Sequence, residues 1–79
     1  MQTIFIQVKC ELGKAYQVAD AASEVEQVSE VYSTSGHYDL MMKCYLPQGE
    51  DIGHFVNENI QPLPGIRDTF TIITFKAFN

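Results

Sequence analysis

Tryptophan is absent from these 79 residues, and basic side chains are few: five Lys and Arg stand against ten Asp and Glu, a formal net charge of −5. Binding to a phosphate backbone is carried by clustered Lys and Arg, so direct nucleic-acid binding is not an expected role. Cysteine is scarce too. Cys10 and Cys44 show no CxxC spacing, and His37 and His54 are the only histidines, so neither a metal site, a disulfide framework nor a cofactor is expected. No apolar run approaches the roughly 18 residues that cross a bilayer. Residues 1–8 also lack the basic region and small-residue cleavage site of a signal peptide. The expectation is a cytoplasmic protein with reduced thiols and no membrane partner. With no linker, low-complexity tract or charge block, the chain reads as one domain over residues 1–79.

What is present is a regular alternation of periods. Residues 3–10 are rich in β-branched and aromatic types, with Ile4, Ile6 and Val8 on one face and Phe5 on the other, the pattern of a strand. Gly13 breaks it, and Ala15, Val18, Ala19, Ala22 and Val25 then recur at helical spacing. Residues 28–35 return to a period of two and are half polar, which suits a sheet edge. Gly36 is read as a hairpin corner between this strand and the next. Residues 38–46 are almost continuously apolar, the signature of a strand buried on both sides. After the turn at Pro47, Gln48 and Gly49, the residues Ile52, Phe55, Val56 and Ile60 form a second helical stripe that ends before Pro62. Leu63, Pro64 and Gly65 make another loop. The last strand lies within residues 66–78, with Thr69, Thr71, Ile73 and Phe75 on one face and Phe70, Ile72 and Thr74 on the other.

The order β-α-β-β-α-β specifies an α+β, ferredoxin-like fold, and right-handed crossovers fix an antiparallel sheet of order 4-1-3-2 with both helices on one face. The other face is left with large apolar side chains. Burying about 500 Å² of it per subunit, at about 25 cal/mol per Å², would contribute on the order of 12 kcal/mol before association costs. A sheet-to-sheet dimer is therefore the expected minimum unit. In this topology Cys10 and Cys44 lie too far apart along antiparallel strands to be bridged. The Gly36 corner, the end of strand one and the start of strand four share one end of the sheet. Gly36, His37, Tyr38 and Asp39 thus belong to the same rim as Thr69 and Thr71. Strands two and four are opposite edges about 14 Å apart, so a pocket using both groups would need a neighbouring subunit as a wall.

Two segments carry a resemblance: Ser35-Gly36-His37-Tyr38-Asp39 after Val28–Thr34, and Pro64-Gly65-Ile66-Arg67-Asp68-Thr69-Phe70-Thr71. They resemble the TGxYD and PGVxxTxT patterns of the ligand-binding domain of the Lrp/AsnC transcription regulators. Ser35 stands for the common Thr and Ile66 for the common Val. The resemblance covers essentially the whole chain and corresponds to the stand-alone form, without a helix-turn-helix. It implies a non-catalytic domain that forms homodimers and octameric or decameric rings and holds an amino-acid effector between dimers. A full-length Lrp/AsnC paralogue is a further expected partner.

An amino acid brings an ammonium that needs acceptors and a carboxylate that needs donors. Asp39 or nearby carbonyls would take the ammonium. Backbone N–H groups at Gly36 and the hydroxyls of Thr69 and Thr71 would take the carboxylate, with Tyr38 as a wall. The blander readings are that Asp39 bonds local backbone, Tyr38 packs, and His37 is a solvated turn residue. The competing functions are a cofactor-free oxygenase or isomerase, which wants a buried acid or base between helix and sheet, and a purely structural partner of a full-length regulator.

Overall fold

In the computed structural model, which describes all of residues 1–79, the elements follow in the order β1 (Gln2–Cys10), α1 (Ala15–Ser23), β2 (Val28–Ser33), β3 (Leu40–Leu46), α2 (Ile52–Phe55) and β4 (Ile66–Ile73). A π-helical turn, Val56–Ile60, continues α2. The sheet is antiparallel throughout with order β2-β3-β1-β4, the expected 4-1-3-2 read from the other edge. This is the ferredoxin-like arrangement of the β-α-β-β-α-β order.

Alternation along the strands builds the core. Ile4, Ile6, Val8 and Cys10 of β1 and Leu40, Met42, Cys44 and Leu46 of β3 point to the helix side. There they meet Val18 and Ala22 of α1 and Phe55, Val56 and Ile60 of the second helical segment. All thirteen buried residues are hydrophobic, and no polar or charged residue is buried, so the helix-to-sheet layer is an apolar core without an acid or base in it. Both cysteines are free. Cys44 pairs with Ile4 and Cys10 with Ile66, which keeps them several residues apart along β1.

Three expectations are corrected. First, the Gly36 corner is a six-residue connection, residues 34–39, because β2 stops at Ser33 and β3 starts only at Leu40. Side-chain and cross-strand bonds take over from the ladder: Thr34 N–H donates to the Asp39 carbonyl (2.9 Å), Thr34 Oγ1 to the Tyr38 carbonyl (3.0 Å), and Asp39 N–H to the Val8 carbonyl (2.9 Å). Second, β3 is buried on one side only. Met41 and Lys43 are half-buried and Tyr45 is exposed on the open face of the protomer. Third, β4 ends at Ile73, leaving Phe75 outside the sheet and fully exposed.

Candidate functional site

The rim at the end of β1 is built around Asp39. Its Oδ2 accepts from the backbone N–H of Cys10 at 2.8 Å, and the ammonium of Lys9 lies 4.0 Å from the same oxygen. Its own N–H donates to Val8, and its carbonyl accepts from Thr34. Asp39 thus seals the end of β1 against the start of β3 with both main chain and side chain. Its Oδ1 has no protein partner. Gly36, at φ +99°, turns the loop above it in a conformation that side chains rarely adopt.

The loop reaches further than strand spacing suggests. The Tyr38 ring lies 6.1 Å, centroid to centroid, from Phe70 of β4, tilted by 30°. The 14 Å separation of β2 and β4 is therefore not the separation of the loop from β4, because residues 34–39 lean over the end of β1. Start-of-strand contacts reinforce the rim: Glu11 N–H donates to the Gly65 carbonyl at 2.8 Å.

Of the sequence-predicted residues, Gly36, His37, Tyr38 and Asp39 form one continuous loop, with His37 exposed and Tyr38 and Asp39 half-buried. Thr69 and Thr71 are brought to the same end of the sheet but not to the same face. They pair with Val8 and Ile6, whose side chains enter the core, so both threonines belong to the helix side. Phe70, which Tyr38 packs on, pairs with Gln7 on the open side. Within one protomer, β4 separates the two groups. Thr69 Oγ1 accepts from Gln61 Nε2 at 2.8 Å, and its N–H donates to Asp68 Oδ1 at 2.9 Å.

Two residues escaped the sequence reading. Lys9 appears there as one polar residue of an alternating strand, and nothing in the strand pattern ties it to Asp39. Gln61 sits at the end of a helical stripe, and the π turn that carries it leaves no mark in the apolar spacing. No group of three His, Cys, Asp or Glu side chains is placed together. A concavity of about 700 Å³ lies at the opposite end of the sheet, where Phe5, Lys43 and Tyr45 meet Thr74, Phe75 and Lys76. None of the predicted site residues lines it.

On the open face, Lys43 lies 3.8 Å from Glu30 and 5.2 Å from the centre of the Tyr45 ring. The Tyr32 hydroxyl donates to Glu30, and that bond pushes the Tyr32 pKa up. Phe70, Tyr32 and Tyr45 on this face are 53%, 56% and 38% exposed, respectively, an unusual load of aromatic surface for so small a domain.

A ferredoxin-like sheet with one helix-covered face, one aromatic open face and a polar rim defines a small α+β domain of a recurrent class. The family is then specific: the model of the Lrp/AsnC ligand binding domain matches residues 3–79, and the chain belongs to that family. The HTH-type transcriptional regulator FL11 of Pyrococcus abyssi is 35% identical over 73 residues, covering 92% of this chain and 48% of the regulator. The HTH-type transcriptional regulator Ptr1 of Methanocaldococcus jannaschii is 32% identical over 66 residues, covering 80% and 45%. The chain spans about half the length of the curated relatives it matches. Among solved structures, TTHA0845 from Thermus thermophilus has a TM-score of 0.91 at 32% identity, covering 100% of this chain and 99% of the other. The transcriptional regulator NMB0573 from Neisseria meningitidis, solved as an L-Met complex, has a TM-score of 0.86 and covers 99% of this chain and 52% of its own; at 18% identity that likeness concerns the fold alone.

Proposed function

We propose that this Lrp/AsnC ligand-binding domain senses a free amino acid at the Gly36 rim, without catalysis, and that association of protomers completes the site. The observation that carries the reading is Asp39: one carboxylate oxygen is clamped to the end of β1, and the other is left without a partner beside the positive-φ turn at Gly36. A carboxylate held in that way is a preorganised acceptor for an ammonium. Backbone N–H groups at the turn, and the hydroxyls of Thr69 and Thr71, supply donors for the ligand's carboxylate. Since β4 separates these threonines from the loop within one protomer, one ligand would use the loop of one subunit and the β4 face of another. The NMB0573 complex with L-Met supports the ligand class.

The aromatic open face supports a homodimer through sheet packing. Assembly of dimers into an octamer or decamer would bring rims together. Ligand would shift that equilibrium only insofar as it binds one assembly better. These 79 residues form no helix-turn-helix, so DNA contact would fall to another segment or to a full-length Lrp/AsnC paralogue, such as the longer HTH-type relatives, in a mixed assembly. The absence of a buried carboxylate or histidine between helices and sheet weighs against the oxygenase or isomerase alternative. Isothermal titration with the twenty common amino acids tests the reading: heat from at least one is expected, and heat from none overturns it.

A further inference from the structure

Residues 74–79 leave the sheet held at one point and carry two aromatic rings that the protomer does not cover. The ladder between β1 and β4 ends at the pair Ile4 and Ile73, and one further bond extends it: the Thr74 hydroxyl donates to the Thr3 carbonyl at 2.7 Å. Beyond that bond the chain departs from the sheet edge. Phe75 is fully exposed and Phe78 is 88% exposed. The ammonium of Lys76 lies 5.3 Å from the centre of the Phe78 ring, and neither phenylalanine packs against the core. Rings held in water beside an open apolar face mark a surface that another molecule covers.

The same segment walls the concavity of about 700 Å³ at this end of the open face, opposite Phe5, Lys43 and Tyr45. Register brings these three together: Phe5 pairs with Lys43 and Thr3 with Tyr45, on the side away from the helices. Their chemistry is that of a receptor for an aromatic ring. Phe5 and Tyr45 give ring surface, and the Lys43 ammonium, 5.2 Å from the Tyr45 ring centre, presents a cation to a further ring laid beside it. Pockets of about 300–1,000 Å³ enclose whole small ligands, so a phenylalanine side chain enters this one without crowding.

Ring and receptor thus stand unfilled in one protomer, the condition for a symmetric exchange in which each copy fills the other's site. The reach is sufficient. Packed sheets lie about 10 Å apart, and the four residues from Thr74 to Phe78 span about 13 Å when extended at about 3.3 Å each. The area is also of the right size: aromatic side chains bury about 150–250 Å² each, so four rings in a symmetric pair add roughly 600–1,000 Å² towards the about 1,200–2,000 Å² of a standard interface.

We infer that residues 74–79 form an exchanged clasp between two copies of this chain, Phe75 and Phe78 of each packing on the partner's Phe5, the partner's Lys43 and the partner's Tyr45. The inference rests on the sheet-packed homodimer proposed above and names the segment that fastens it.

Isotope-labelled and unlabelled protein, refolded together in equal amounts and read by a filtered nuclear Overhauser spectrum that passes only contacts between chains, provide the test. Cross-peaks from the Phe75 and Phe78 rings to those of Phe5 and Tyr45 are expected. In sedimentation equilibrium the Phe75→Ala/Phe78→Ala double variant should self-associate about tenfold more weakly or worse, the scale of lost aromatic anchors. Neither ring supports the protomer core, so the double variant keeps its fold, which its amide spectrum verifies. Phenylacetate, a free aromatic probe, should move the amide signals of Lys43 and Tyr45 in the double variant and leave them in place in the unmodified dimer. If the chain is dimeric but no interchain cross-peak involves Phe75 or Phe78, and the double variant associates as tightly, the clasp is overturned and sheet packing stands. Phenylacetate moving those signals equally in the unmodified dimer shows the concavity empty and also overturns the clasp. A protomer alone in sedimentation overturns both readings.

Discussion

Gly36 and Gly65 both hold left-handed backbone, at φ +99° and +95°, but a Cβ would meet different surroundings at each. At Gly36 nothing lies within 4 Å, so Gly36→Ala should cost only the conformational penalty of about 1–2 kcal/mol. At Gly65 a Cβ would meet Val18 Cγ2 at 3.0 Å and Lys14 Cβ at 3.1 Å, which presses the loop against α1. Gly65→Ala should therefore destabilise by about a further 1–3 kcal/mol of overpacking, read from urea unfolding of the two variants side by side. Equal losses would contradict the close packing of this loop on the helix.

The buried thiol of Cys44 gives a pH prediction at the same scale. Burial pushes its pKa from the ordinary 9.0 up to about 11. Below 9 the thiol is neutral in both folded and unfolded chains, and its contribution is intact. As pH rises from 9 towards 11 the unfolded chain ionises first, so stability should fall by on the order of 2–3 kcal/mol, and Cys44→Ala should flatten that slope. Denaturant melts across this range provide the measurement. Among individual residues, the glycines and Asp39 were legible from turn chemistry alone. The clamp that Asp39 makes on Cys10 was not, because its partner is 29 positions away and strand patterning carries no information on which backbone N–H ends a ladder unpaired.

Elements were legible where one period persisted. The alternation of Ile4, Ile6 and Val8 placed β1 within a residue, and the stripe from Ala15 to Val25 placed α1 but ran past its end, since the helix stops at Ser23. The errors fell where side chains compete with ladders. Thr34 and Asp39 bond the loop to itself and to β1, so β2 and β3 are both shorter than their composition suggests. The second helix shows the other limit: Phe55, Val56 and Ile60 read as one stripe, yet the backbone widens to a π turn within it. This short helix leans on its start, where Asp51 Oδ1 accepts from the His54 N–H at 3.0 Å. Asp51→Ala should destabilise by about 1 kcal/mol, while Asp51→Asn or Asp51→Ser should preserve most of the stability, as thermal unfolding would show. A loss shared equally by all three would place the effect elsewhere than in the cap.

For the whole molecule, topology followed from element order and the handedness of crossovers, and the open face followed from counting apolar residues on strands three and four. What sequence could not supply was the lean of residues 34–39 over β1, which carries Tyr38 to Phe70. Nor could it show that β4 divides the candidate ligand groups between two faces, a consequence of which alternate set faces the core. Both features lead to the same conclusion about scale. Thirteen buried residues make a small core for 79, and Phe70, Tyr32, Tyr45 and the half-buried Met41 and Ile72 form a second apolar surface with no cover in the protomer. On this account a second copy supplies the cover, and the rim site is completed only in the assembly.

Sedimentation equilibrium of the purified chain at micromolar concentration measures this directly. The protomer mass is 8.9 kDa. The account predicts a species of twice that mass or a larger multiple, and a shift towards the protomer in Phe70→Lys. A single species at the protomer mass, in the unmodified chain, would contradict it.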